Sequence, residues 1–298
     1  MTERIDERKR ITPSNSGAYF SVLVFCALVV SVIFSLIVKY YGLKNDSYAY
    51  TILSYTLSPL STVIMTVIFI TCLKLNVKQS LKIKNAKVRY YLLALLALVG
   101  CYMGLSSING YFNEFIQEVS GKEPQIPRIL PFSPLNYCLT VLTVCILPSI
   151  AEEAAFRGMI VSGLDDYNPI ISAAITGFAF SLFHMNPAQT PYQFVTGFAF
   201  ALLSICSGAV YPTIIVHFLN NFITINLYYF GVGFSVPQSV SIIMTIIGVM
   251  AFIAFVIIAV FDCKRKVIGN DAKAIKNWSK FALPGVIMCA VVWTLGLI

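Results

Sequence analysis

Charge is scarce in this chain. Only 11% of its 298 residues are Asp, Glu, Lys or Arg, the acidic residues number 13 and there are two histidines. With 58% hydrophobic residues and a mean hydropathy of +0.80, that scarcity excludes a soluble globular domain and a disordered chain, and indicates a polytopic membrane protein. Also missing are a CxxC and any cysteine pair at zinc-ligand spacing, which excludes a zinc-finger-like centre. Seven of the eight cysteines (Cys26, Cys72, Cys101, Cys138, Cys145, Cys206, Cys289) are scattered through apolar stretches and Cys263 sits at a helix end, so they read as small apolar fillers. No repeat, low-complexity tract or linker divides the chain. One membrane domain over residues 1–298, with a core at 135–230, is the economical reading.

What the chain has in quantity is long hydrophobic runs, and they predict an all-α fold, a bundle of eight to nine transmembrane helices. The runs are Ala18–Tyr40, Ala49–Leu73, Tyr90–Asn109, Leu135–Met159, Pro169–Met185, Tyr192–Ile205, Val210–Phe230, Ser239–Phe261 and Phe281–Ile298. The first is too long for a signal-peptide core and is expected to stay as a helix. Sixteen of the 21 basic residues fall before the first run (Arg4, Arg8, Lys9, Arg10), between the second and third (Lys74 to Arg89) and between the eighth and ninth (Lys264 to Lys280). All three segments reach one side only if the short sixth run crosses the membrane, and Lys and Arg favour the cytoplasmic side. The N-terminus is therefore expected in the cytoplasm and the C-terminus outside. The net charge of +8 then serves orientation and contact with anionic lipid headgroups rather than nucleic acid. The stretch Gly110–Pro134, with Glu114, Glu118, Glu123 and four prolines, reads as an extended external loop.

Both histidines lie in these apolar runs, beside a double glutamate. Ionisable groups at membrane depth are costly, so a cluster of them marks a functional site. Glu153 and Arg157 are four apart and share a helix face, whereas Glu152 points about 100° away. Glu153 is thus expected to pair with Arg157, and Glu152 to face a cavity as a candidate general base. Phe180 and His184 lie one turn apart on the fifth run. His217 and Asn221 share a face of the seventh, from which Asn220 diverges. A carboxylate, two imidazoles and a carboxamide suffice to activate water and stabilise an oxyanion.

The segments Glu152-Glu153-x-x-x-Arg157, Phe180-x-x-x-His184 and His217-x-x-x-Asn221 resemble the three motifs of the CPBP family. These are intramembrane proteases that include the Rce-type CAAX prenyl endopeptidases and the bacterial Abi and bacteriocin-processing proteins. The resemblance covers about 146–225, including Phe156-Arg157-Gly158 and Pro187-Ala188-Gln189-Thr190. It implies that Glu152 and His184 hold and deprotonate the attacking water, that His217 and Asn221 form the oxyanion hole, and that Glu153, Arg157 and Phe180 support them. The family core is usually drawn with eight helices, so a ninth is a departure.

The resemblance implies an endopeptidase of the bacterial plasma membrane, acting on a membrane-associated peptide or membrane-anchored protein: a CAAX-type substrate, a leader or signalling peptide, or a bacteriocin-related one. A non-catalytic membrane scaffold or bacteriocin-immunity protein that keeps the motifs for packing is the alternative. A transporter is a weaker one, since no paired, Gly/Pro-broken helices occur. Glu152, His184 and His217 could in principle bind zinc, although there is no His-Glu-x-x-His; a metal-free glutamate-type protease is preferred. Depth gives a tension. At about 1.5 Å per residue, Glu152 and His217 fall toward the cytoplasmic half and His184 toward the external half, about two turns apart. A later start to the fifth helix, or tilt and stagger, would close the gap.

Overall fold

The computed structural model describes residues 10–44, 47–121, 129–230, 237–263 and 267–297, and among them it holds helices and no strand. Nine long helices follow in order: α1 (Pro13–Tyr41), α2 (Tyr48–Cys72), α3 (Val88–Ser120), α4 (Pro134–Ile160), α5 (Pro169–Phe183), α6 (Thr190–Ser207), α7 (Tyr211–Tyr229), α8 (Gln238–Asp262) and α9 (Asp271–Leu297). Each of the nine hydrophobic runs is thus a helix. Six of them, α1 to α4, α8 and α9, are long and apolar enough to cross a membrane, and the chain is an integral membrane protein. The expected count of eight to nine crossings would need two or all three of α5, α6 and α7 to cross as well, and length and composition do not establish that.

Local chemistry sets the helix ends where hydropathy could not. α1 starts at Pro13 because Thr12 caps it, its side chain accepting from Asn15 N–H, and Gly42 ends it in a left-handed conformation. The expected loop from Gly110 is helical as far as Ser120 and stops at Gly121 (φ 66°). Residues 110–120 are polar but contain no proline, so they leave the hydropathy profile without leaving the helix. Glu123, Pro124 and Pro127 lie outside the described residues, as do Arg4, Arg8, Lys9 and Lys264 to Lys266 of the basic segments. α9 begins ten residues before the apolar run, with Ala274 and Trp278 buried against α1.

The most extensive helix pairings are α3 with α8, α5 with α6, and α1 with α9. Each closes over glycine, as expected where lipid gives no hydrophobic drive and helices must approach closely to gain dispersion contact. A Cβ on Gly177 would lie 2.7 Å from Phe198 N, one on Gly197 2.9 Å from Gly177 Cα, and one on Gly285 2.8 Å from Ser21 Cα. Gly248 packs directly on Gly104 and Gly17 on the Trp278 carbonyl. α4 fits between these pairs with Ala155, Phe156, Met159 and Ile160 wholly buried. Large apolar side chains stay exposed along α1, α2, α8 and α9, among them Ile33, Leu36, Val67, Ile246 and Ile257, as a lipid-facing belt requires.

The helix ends that carry the basic segments meet at one end of the bundle. There Lys82 Nζ stands 2.7 Å from Asp165, Val210 N–H donates to the Lys82 carbonyl, and Ile268 N–H to the Asp166 carbonyl.

Candidate functional site

α4 is not a uniform α-helix. It widens into π-helix over Val141–Ile146 and again over Glu153–Ile160, the stretches on either side of the first glutamate. Such wide turns are rare and concentrate at functional sites. They let two consecutive glutamates reach one imidazole from the same helix. Glu153 and Arg157 are fully buried and paired at 3.0 Å, as the spacing predicted. The guanidinium also lies 4.2 Å above the Phe180 ring and 5.5 Å from that of Phe200, so its charge is held by a carboxylate and two aromatic faces.

His217 stands between the two carboxylates. Its Nδ1 is 2.8 Å from Glu153 Oε1 and its Nε2 is 4.0 Å from Glu152 Oε2. The first contact is a hydrogen bond, so Glu153 supports His217 as well as pairing with Arg157, a link that helical periodicity could not reveal. The second is too long for a hydrogen bond. Glu152 is 16% exposed, and its Oε2 has no hydrogen-bond partner among the described residues.

His184 caps the C-terminus of α5. Its Nδ1 lies 2.8 Å from the Phe180 carbonyl, which can only accept, so Nδ1 carries a proton and, in the neutral ring, Nε2 presents its lone pair. Phe180 packs edge-on against this ring, with centroids 4.6 Å apart, and at 6.2 Å from that of His217. α4 and α5 fold back symmetrically about Asn168: Ser172 Oγ donates to the Leu164 carbonyl and the Phe156 ring meets that of Phe180. Glu152 and His184 are each sixteen residues from Asn168, on helices that this fold-back lays against each other.

Asn221 is placed differently from the simple expectation. Its Nδ2 donates to the carbonyl of Val144, within the first π segment, and its Oδ1 accepts from Asn220 Nδ2. Asn220 Oδ1 in turn accepts from Tyr192 at 2.6 Å. Asn220, which diverges from the His217 face, therefore still belongs to the network, and Tyr192 is a member that no motif indicated. The loop after His184 is fixed as tightly. Met185 has φ 49°, Thr190 donates to the Asn186 carbonyl, Ser181 to that of Thr190, and Trp293 on α9 donates to Thr190 Oγ1 at 2.8 Å.

Among the described residues no three His, Cys, Asp or Glu side chains gather in metal-holding geometry. None of the described cysteines is in a disulfide.

Residues 134–223 match the family described as Type II CAAX prenyl endopeptidase Rce1-like. The chain's core is that of a CPBP/CAAX intramembrane protease. No curated protein and no solved structure matches the chain. The family match begins at the first residue of α4 and ends two residues past Asn221, so it holds all three motifs. The matched family is one of proteases, which supports a protease acting on a peptide or protein in the membrane.

Proposed function

We propose that this CPBP/CAAX-type protein hydrolyses a peptide bond in a membrane-associated peptide or membrane-anchored protein, with Glu152 and His184 activating the water and His217 and Asn221 receiving the oxyanion. The observation that carries the reading is the unlike bonding of the two imidazoles. His184 has its Nδ1 proton committed to a carbonyl, so its Nε2 is an acceptor suited to holding water. His217 has its Nδ1 on the Glu153 carboxylate instead of on a neutral carbonyl, and its Nε2 is the atom the reading assigns to the oxyanion. Asn221 has a second Nδ2 proton to offer after the one given to Val144.

In the reaction, the water oxygen attacks the scissile carbonyl carbon while Glu152 takes its proton. The carbonyl electron pair moves onto oxygen between His217 and Asn221. Collapse of the tetrahedral intermediate breaks the C–N bond, and Glu152 returns the proton to the leaving amine. The buried Glu153–Arg157 pair, with Phe180 against His184, keeps both imidazoles in place.

The test is cleavage of a quenched peptide library, with prenylated and unprenylated members, by the protein reconstituted in liposomes. Cleavage lost on Glu152→Gln and kept in the presence of chelator is the expected result. Cleavage unchanged in Glu152→Gln would return the motifs to a packing role. Cleavage lost to chelator and restored by zinc would move water activation to a metal.

A further inference from the structure

A cavity of about 580 Å³ opens at the basic end of the bundle, and none of Glu152, Glu153, Arg157, His184, His217 and Asn221 lines it. It is enclosed by the start of α1, the segment between α2 and α3, the turn between α4 and α5, Gly208 and Ile268. Gly163 lets these parts meet, because a Cβ there would lie 2.6 Å from the side chain of Ser16. On the floor Lys82, only 4% exposed, is held 2.7 Å from Asp165. Around the rim stand exposed Arg10, Lys78 and Lys84, with one further carboxylate, Asp166. Gln79 braces Arg10, its amide oxygen accepting from Nε at 3.0 Å once the amide is turned.

Charge and size together select a ligand class. Among the described lining residues, and beside the Lys82–Asp165 pair, three cations stand against one anion, an excess of two positive charges. A phosphomonoester carries a charge of about −1.5 to −2 at neutral pH, whereas a phosphodiester carries one negative charge. Arg10 offers the planar fork that suits a phosphate, and the lysines offer mobile point charges. The volume is within the range of about 300–1,000 Å³ typical of small-molecule sites, more than a bare phosphate needs. We infer that this cavity binds a phosphomonoester group, carried either by a lipid headgroup at the membrane surface or by a soluble molecule.

Native mass spectrometry of the full-length protein in detergent tests this, with short-chain phosphatidate, short-chain phosphatidylglycerol, glycerol 3-phosphate and inorganic phosphate as probes. Phosphatidate is expected to bind at least about tenfold more tightly than phosphatidylglycerol. The variant Arg10→Gln/Lys78→Gln/Lys84→Gln is expected to lose about tenfold or more, since a single charge-assisted contact has that effect. A control, Lys273→Gln/Lys276→Gln/Lys280→Gln, removes as much charge outside the cavity and is expected to bind as the parent does. Asp166→Asn removes the one opposing charge and is expected to tighten binding. Only the backbone carbonyl of Asp166 holds Ile268 and Gly269, so this variant keeps the fold. Displacement of phosphatidate by glycerol 3-phosphate would assign the soluble source; retention against it would assign the lipid. Equal binding of phosphatidate and phosphatidylglycerol, or a triple variant indistinguishable from the control, would overturn the proposal.

Discussion

His217 is shared between two neighbouring carboxylates, hydrogen-bonded to Glu153 at 2.8 Å and separated from Glu152 by 4.0 Å. The first glutamate is partly exposed and the second is wholly buried against Arg157, so the same substitution has different consequences at the two positions. Glu153→Gln leaves a fully buried guanidinium without its counter-charge, and a loss of stability of about 3–5 kcal/mol is expected. Glu152→Gln breaks no hydrogen bond of the fold and is expected to unfold at nearly the parent temperature, while peptidase activity falls roughly 10²–10⁴-fold with loss of the general base. Thermal unfolding in detergent, read beside initial cleavage rates, checks both; equal destabilisation by the two variants would refute the division.

Asn221 gives a graded expectation. Loss of an oxyanion donor costs roughly 10²–10³ in kcat, so Asn221→Ala should fall in that range with KM little changed. Tyr192→Phe removes only the hydroxyl that fixes Asn220, two side chains away from the proposed oxyanion. It is expected to cost about 1 kcal/mol of stability and to lower kcat several-fold, again without raising KM. A rise in KM instead would make Tyr192 a substrate contact rather than a positioning residue.

Much of this site was legible in the sequence because its residues repeat at helical spacing: Glu153 with Arg157, Phe180 with His184, His217 with Asn221. What was not legible works through features without a period. The π turns of α4 have no compositional signature, so the reach of both glutamates to His217 could not be read. Tyr192, the Val144 carbonyl and Trp293 each enter through one hydrogen bond from another helix or from the backbone. Helix ends at Ser120 and Asp271 were missed because hydropathy registers membrane burial, and these turns are helical without being apolar.

Trp293 tests whether helices outside the family-matched core serve the site. Its indole N–H holds Thr190, whose hydroxyl holds Asn186, in the loop that leaves His184 through the left-handed Met185. Trp293→Phe keeps an aromatic ring but drops the donor. The expected result is about 1 kcal/mol of lost stability and a several-fold fall in kcat, with Trp293→His, which retains a ring N–H, recovering part of it. Unchanged kinetics in Trp293→Phe would make the contact a packing detail of α9.

The glycines make the sharpest contrast between positions. A Cβ at Gly177 meets the Phe198 backbone at 2.7 Å, and backbone on a packed helix cannot step aside as a side-chain end can. Gly177→Ala should therefore push α5 away from α6, cost about 1–3 kcal/mol, and displace His184, which α5 carries at its end. Gly110 is also helical, but a methyl group there would meet nothing within 4 Å, and Ala relieves the entropic weakness of a helical glycine. Gly110→Ala is expected to stabilise by about 0.5–1 kcal/mol with activity unchanged. Unfolding midpoints and cleavage rates of the two variants should move in these opposite senses. If both alanines were neutral, close approach of α5 to α6 would not be what positions His184, and the hydrogen bonds of the 186–190 loop would be left as its main support.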